Sequence, residues 1–223
     1  MTGLFKKVIN TCKGLHMSKR EHNKAIKRAA ILDAAWHFFI SLGYDNTSVV
    51  LIVEHAGIAR GTFYQYYKDK EDLFDHLLKS LYQPLLDVLK MALNDLRHHG
   101  SSPQAQQQRS VRTAILLAKH LEDRKDHWPL HFRTAWSAGY AGQAVRLWRQ
   151  RIEGLALELL STAQEYGLFR QVHTKMTIFA FVGACERLIW AWLNEDIELS
   201  RRELAQQMAL LFWQGLLPDH AQV

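Results

Sequence analysis

Apolar residues recur at helical spacing along most of this chain. Ile31, Ala34, Ala35, Phe38, Phe39 and Leu42 share one face of a helix predicted over about 23–42, and Gly43 supplies its stop. Val49, Ile52 and Val53 form the inner face of a short second helix, 48–55, with Thr47 as its cap. Ala56-Gly57-Ile58 is a turn in which Gly57 is free to take positive φ. A third short helix, 59–65, turns Phe63 and Tyr67 inward. It leaves Arg60, Thr62, Tyr64, Gln65 and Tyr66 on the outside or rim. Ala59 stands where Ser or Thr would accept a backbone N–H, which costs this helix about 1 kcal/mol.

Asp69 caps a longer helix, with Glu71 and Asp72 in its first turn to suit the dipole. Leu73, Phe74, Leu77, Leu78 and Leu81 form its stripe, and Pro84 is expected to break or kink it. A further helix runs to about residue 97, and 98–106, with Gly100, Ser101, Ser102 and Pro103, reads as a loop. Helices follow at about 107–122, 128–140, 143–166, 174–194 and 201–216. Gly167 ends one, Ser200-Arg201-Arg202-Glu203 is a capping box that opens the last, and Pro218 lies just past its end. No alternating β-branched run bounded by turns appears, so the expected fold is all-α. We divide it into a basic arm at 1–22, a three-helix helix-turn-helix DNA-binding domain at 23–72, and a helical ligand-binding and dimerisation domain at 73–223.

Charge sharpens this division. The whole chain is net +6, yet residues 1–30 hold eight Lys and Arg against Glu21 alone, +7, leaving the rest at −1. A basic front on a near-neutral body points to a polyanion at one end. With 223 residues, 4 Pro and 12 Gly, the chain is long enough for a small head on a larger helical body. Cys12 and Cys185 suggest no disulfide framework, and the expected compartment is the cytoplasm. Leu4, Phe5, Val8 and Ile9 are interrupted by Lys6 and Lys7, which does not read as a secretory signal. The apolar stretch 176–193 carries Glu186 and Arg187 near its middle, so it reads as a buried soluble helix with no membrane partner. Residues 1–16 suit a weak membrane-surface or partner helix, or a segment upstream of a start at Met17; the preferred reading is a frayed, non-essential arm. Either way, their deletion is expected to spare DNA affinity.

The run AAILDAAWHFFISLGYDNTSV at 29–49, followed by AGIARGTFYQYYKDKEDL from Ala56, resembles the N-terminal domain of the TetR family of bacterial transcriptional repressors. The likeness covers 24–74, about a quarter of the chain, in continuous order. It implies a homodimer on a near-palindromic double-stranded DNA operator and a body that releases DNA when a small ligand binds. It also implies roles for single residues. Thr47 and Ser48 meet phosphate at a helix N-terminus. Val50 offers apolar contact, such as to a thymine methyl. Arg60 bonds guanine or phosphate, Gly61 allows close approach, and Thr62 uses its hydroxyl and methyl. Tyr64 and Tyr66 reach the DNA backbone, Gln65 shares their surface, and Lys70 meets phosphate from the next helix.

The body is rich in aromatic residues. Trp128, Phe132, Trp136, Tyr140, Trp148 and Phe181 suit either plain core packing or a pocket for a small hydrophobic or aromatic ligand. His120, His131, Arg151 and Glu186 are the candidate polar contacts, and Glu186 fits an ion pair at a dimer interface equally well. His127 and His131 have the HxxxH spacing of helical metal sites. Pro129 lies between them and no carboxylate completes a pattern, so neither metal nor cofactor is expected. Without a Gly-rich phosphate loop or a nucleophile–base pair, the chain does not read as an enzyme. Leu204, Met208, Leu211, Phe212 and Gly215 form a stripe that, with Trp190 from the preceding helix, suits a four-helix bundle across a two-fold axis. The rival reading is a helical small-molecule-binding protein without sequence-specific DNA binding.

Overall fold

A computed structural model describes residues 18–98 and 103–216, with backbone alone at 103, 104, 106 and 213–215. The described residues are helical, with no strand among them. In chain order the helices are α1 (Lys19–Ser41), α2 (Val49–His55), α3 (Arg60–Phe63), α4 (Lys70–His98), α5 (Pro103–Asp123), α6 (Trp128–Thr134), α7 (Gly139–Glu165), α8 (Thr174–Leu193) and α9 (Arg201–Leu216). A 3₁₀ turn, Lys125–His127, precedes α6.

The expected caps form, with one exchange. α1 begins earlier than its apolar stripe because Ser18 and Glu21 close a capping box: Glu21 N donates to Ser18 Oγ at 3.3 Å and Ser18 N to Glu21 Oε2 at 3.0 Å. The cap of α2 is Ser48, which accepts from Leu51 N at 3.2 Å, rather than Thr47. Asp69 Oδ1 accepts from Asp72 N at 2.8 Å at the start of α4. At α9, Ser200 and Glu203 complete the second capping box.

Two helices break differently from the expectation. α4 runs through Pro84 without ending. Proline removes one N–H and costs about 3 kcal/mol, but Leu81, Tyr82, Leu85 and Leu86 around it are all buried, and that burial is larger. α6 stops at Thr134, where Ser137 N and Ser137 Oγ both donate to the Thr134 carbonyl, and Gly139 at φ +77° restarts the chain as α7. The segments 1–17, 99–102 and 217–223 lie outside the described residues. They include the basic arm as far as Met17, Cys12, residues 99–102 of the expected loop, and Pro218; the rest of that loop, 98 and 103–106, is helical instead.

The chain forms two compact units. One takes the described residues up to Ser80 together with Pro129–Val145, and the other takes Leu81–Trp128 with the described residues from Arg146 on. The first unit is built on Ile31, Ala34, Ala35, Phe39, Ile52, Phe63, Leu73, Phe74 and Leu77, all buried. Phe39 meets Phe74 edge-on at 5.3 Å, and Tyr44 lies 4.8 Å from Phe74. The second unit gathers Leu96, Leu160, Ala163, Leu168, Phe169, Ile178 and Leu216 into a separate core. Among these, Leu168 follows a Schellman end of α7: Leu168 N donates to Ala163 O, and Gly167 N at φ +68° donates to Gln164 O.

Candidate nucleic-acid interface

The turn between α2 and α3 is set by three backbone bonds. Ala56 N donates to Ile52 O, Gly57 N to Glu54 O and Ile58 N to Val53 O, at 2.9, 3.1 and 3.0 Å. This is a Schellman end with Gly57 at φ +65°, a conformation that costs an L side chain about 1–2 kcal/mol. The turn delivers α3 with no side-chain cap, since Ala59 offers only its backbone carbonyl, which accepts from Thr62 N at 2.8 Å. Four residues are too few to hold a helix by their own ladder. α3 is held instead by Phe63, which is fully buried, and by Tyr67 beside it at 5.9 Å.

Burial of Phe63 turns the rest outward. Arg60, Gly61, Tyr64 and Gln65 are exposed, and Thr62 is half-buried. Arg60 and Tyr64 lean together, with the guanidinium 5.9 Å from the ring centre and Nη2 3.4 Å from the hydroxyl. A Cβ at Gly61 would meet nothing within 4 Å, so the surface there is open for close approach of a partner. On α2, Ser48 and Val50 are also exposed. Together these residues present guanidinium, hydroxyl, amide, phenol and methyl groups on one rigid head. That is the mixture needed for phosphate positioning and base-edge contact in a major groove.

Three expectations for this face need correction or refinement. Thr47 is 1% exposed and donates its hydroxyl to Gly43 O at 2.7 Å, so it closes the α1–α2 turn and is not a phosphate contact. Tyr66 is half-buried and donates its hydroxyl to Lys24 O at 3.2 Å, which ties the segment after α3 to α1 instead of reaching outward. Lys70 donates to Tyr44 O at 2.9 Å and sits 4.2 Å over the Tyr44 ring, so its ammonium is anchored within the head.

This is the geometry of helix-turn-helix DNA-binding proteins. Residues 31–77 match the bacterial regulatory proteins of the tetR family, and residues 100–216 match the tetracyclin repressor-like C-terminal domain. The chain belongs to the TetR family and is a transcription regulator with a helix-turn-helix DNA-binding region. It is similar to an HTH-type transcriptional regulator of Bacillus subtilis, YhgD, with 24% identity over 85% of this chain and 96% of that protein. It also resembles the fatty acid metabolism regulator protein of Bacillus subtilis, 28% identical over 44% of this chain and 45% of that one. Among solved structures, the fatty acid degradation regulator FadR of Bacillus halodurans superposes with a TM-score of 0.67 at 21% identity, over 84% of this chain and 98% of that one.

The expected ligand residues fall in both units. His131, Phe132, Trp136 and Tyr140 belong to the first unit. There Tyr140 packs 5.6 Å from Tyr44, and Trp136 is 80% exposed, a surface residue rather than a pocket wall. Burial, then a hydrogen bond to Asp75, raises the Tyr140 phenol above its ordinary range. His131 is buried and follows a turn of different pitch from the one His127 ends, so the HxxxH pair does not share a regular helical face. His120, Trp128 and Trp148 do meet, in the second unit, around Tyr82. Trp148 stacks on Tyr82 at 5.7 Å and 8°, and Trp128 meets it edge-on at 5.7 Å. His120 Nε2 lies 2.8 Å from Leu81 O. A carbonyl only accepts, so Nε2 carries the proton. Burial is also the first cause that lowers the His120 pKa.

Glu186 pairs with Arg149 at 2.9 Å, and Arg149 also reaches Glu153 at 3.2 Å. Arg151 lies over the Trp148 ring at 4.6 Å, and Phe181 packs 4.4 Å from Phe212. Tyr82 and Arg149 escaped the sequence reading, though each left a signal. Tyr82 follows Leu78 by one helical turn and extends the buried row of α4, and Arg149 precedes Glu153 by one turn of α7.

The stripe expected at a dimer interface is divided as well. Leu204 is 2% exposed and so lies inside its own chain, whereas Leu211, seven residues on and on the same helical face, is 64% exposed. The face changes neighbours along its length, which spacing alone does not reveal. Met208 and Trp190 are half-buried, and Phe212 is packed against Phe169 and Phe181. Gly215 falls where only the backbone is described. α8, expected to be a buried helix, buries only Ile178 and Ala191, while Met176 and Phe179 are 67% and 48% exposed.

Proposed function

We propose that the chain is a ligand-responsive repressor that binds a near-palindromic operator as a homodimer and leaves it when a small hydrophobic ligand occupies the second unit. The observation that carries this reading is the single outward face of Ser48, Arg60, Gly61, Thr62, Tyr64 and Gln65 above a buried Phe63. Two such heads, about 34–36 Å apart, would meet successive major grooves on one side of a duplex. The half-exposed apolar helix α8 supports a homodimer, because Met176 and Phe179 on one copy find cover on another. The ion pair from Glu186 on α8 to Arg149 supports a protein that works in the cytoplasm rather than in a bilayer.

The match of residues 100–216 to the tetracyclin repressor-like C-terminal domain supports a small ligand. Two of the similar proteins are named for fatty acid metabolism or degradation, which directs the first trial to acyl compounds. Release requires the ligand to favour one state over the other, typically by about 1–3 kcal/mol of coupling. The chain performs no catalysis in this reading.

A footprint on the DNA upstream of its own gene, with and without long-chain acyl compounds, tests the proposal. The expected result is a discrete protected palindrome that ligand abolishes, and Arg60→Ala weakening the protection without unfolding. Tight acyl binding with no discrete footprint would overturn the DNA reading in favour of a small-molecule-binding protein.

A further inference from the structure

The first turns of α1 carry charges that the fold itself does not favour. Lys19 and Arg20 occupy the first two helical positions, where the helix dipole disfavours cations. Arg20, Lys24 and Lys27 then follow at i, i+4 and i+7, which places like charges side by side on one exposed stripe. The one acidic residue beside them, Glu21, is bound to Ser18 at 2.8 Å by its carboxylate. Arg28 is different: it reaches His76 at 3.1 Å and Tyr67 at 3.5 Å and so belongs to the head's own structure.

This stripe lines a groove whose opposite wall is Gln65 and Tyr66, at the end of the recognition segment. The hydroxyl of Tyr66 on Lys24 O fixes the two walls to each other. The basic groove is therefore continuous with the face that carries Arg60 and Tyr64. Of the first backbone N–H groups of α1, that of Glu21 is already taken by Ser18 Oγ and that of His22 by Ser18 O.

We infer that this groove is a second contact surface for the same duplex, gripping the sugar–phosphate backbone that flanks the major groove entered by α3. Lys19, Arg20, Lys24 and Lys27 supply the charge, and Asn23 and Gln65 add neutral donors. This role rests on the DNA reading proposed above. The groove contributes affinity and register without sequence information, while Arg60 and its neighbours supply the discrimination.

The test uses the full-length chain with Lys19→Gln, Arg20→Gln, Lys24→Gln and Lys27→Gln combined. Binding to the operator and to a random duplex of equal length is measured from 50 to 300 mM salt (roughly the range where counterion release is read). The expected result is a salt slope that falls by about 0.9 for each phosphate no longer neutralised. Affinity should drop about tenfold or more on both duplexes alike, with the footprint centre unmoved. Arg28→Gln should leave the slope unchanged. Removing like-charge neighbours should not lower the thermal midpoint; if the combined variant does not fold, the pair Lys24→Gln with Lys27→Gln reads the same slope. An unchanged slope in a variant that still folds would overturn the inference. Failure of the wild type to prefer operator over random duplex would overturn the regulator reading instead, and the slope on random duplex would still score the groove.

Discussion

The recognition face and the cluster around Tyr82 use the same kinds of side chain in opposite ways. On the head, Arg60 and Tyr64 touch each other loosely and face solvent, with Tyr64 48% exposed. In the second unit, Tyr82, Trp128 and Trp148 close on one another, and Arg149 is held between Glu153 and Glu186. The first arrangement leaves polar groups to be completed by a partner. The second packs its rings on one another and pairs its charges within the chain. A surface that waits for a partner is set by short-range rules of turn, cap and periodicity, whereas a closed cluster depends on which distant helices come together.

The largest expected effect tests how far the open face depends on what lies beneath it. Phe63→Ala removes the one buried side chain of α3 and should cost about 3–5 kcal/mol, seen as a lower denaturant midpoint together with loss of operator binding. Operator affinity preserved in that variant would mean that α3 does not need its anchor. Arg149→Leu probes the closed region. It leaves Glu153 and Glu186 without their shared cation and should destabilise by about 2 kcal/mol in chemical unfolding, with the operator sequence preference unaltered.

A pH experiment sharpens the contrast further. Burial, followed by the charge of Arg124, lowers His127 from 6.5 to about 4. The unfolded chain binds a proton there that the fold refuses, so stability falls as pH drops from 6.5 to about 4. His127→Gln should flatten that part of a stability–pH curve, and an unchanged curve would show that His127 is not its source. The smallest effect concerns a turn. Glu195 ends α8 at φ +64°, with Asp196 N donating to Ala191 O at 2.8 Å. Glu195→Gly should raise stability by up to about 1 kcal/mol, measured as a higher thermal midpoint with DNA affinity unchanged.

The parts that were legible in the sequence are those decided within a few residues. Gly57 takes positive φ, Phe63 and Tyr67 turn inward, Ala59 caps poorly, and Asp69 and Ser200 cap well. The exchange between Thr47 and Ser48 lay just past that horizon. Both are hydroxyl residues at a helix start, and only the position of Gly43 O decides which one turns inward. Longer reach was invisible. Nothing local says that the hydroxyl of Tyr66 finds a carbonyl 42 positions earlier, or that Tyr140 packs beside Tyr44 in the first unit. The aromatic stripe of Phe132, Trp136 and Tyr140 was recognised as a pattern, but a pattern does not name the unit that it packs into.

The shortness of α3 has an evolutionary side. Of its four residues only Phe63 is buried, so Arg60, Gly61 and Thr62 contribute little to the stability of the head. Descendants of this chain can exchange those three positions and drift toward new target sequences while the scaffold stays intact. Innovation in what is recognised is thereby uncoupled from the risk of misfolding.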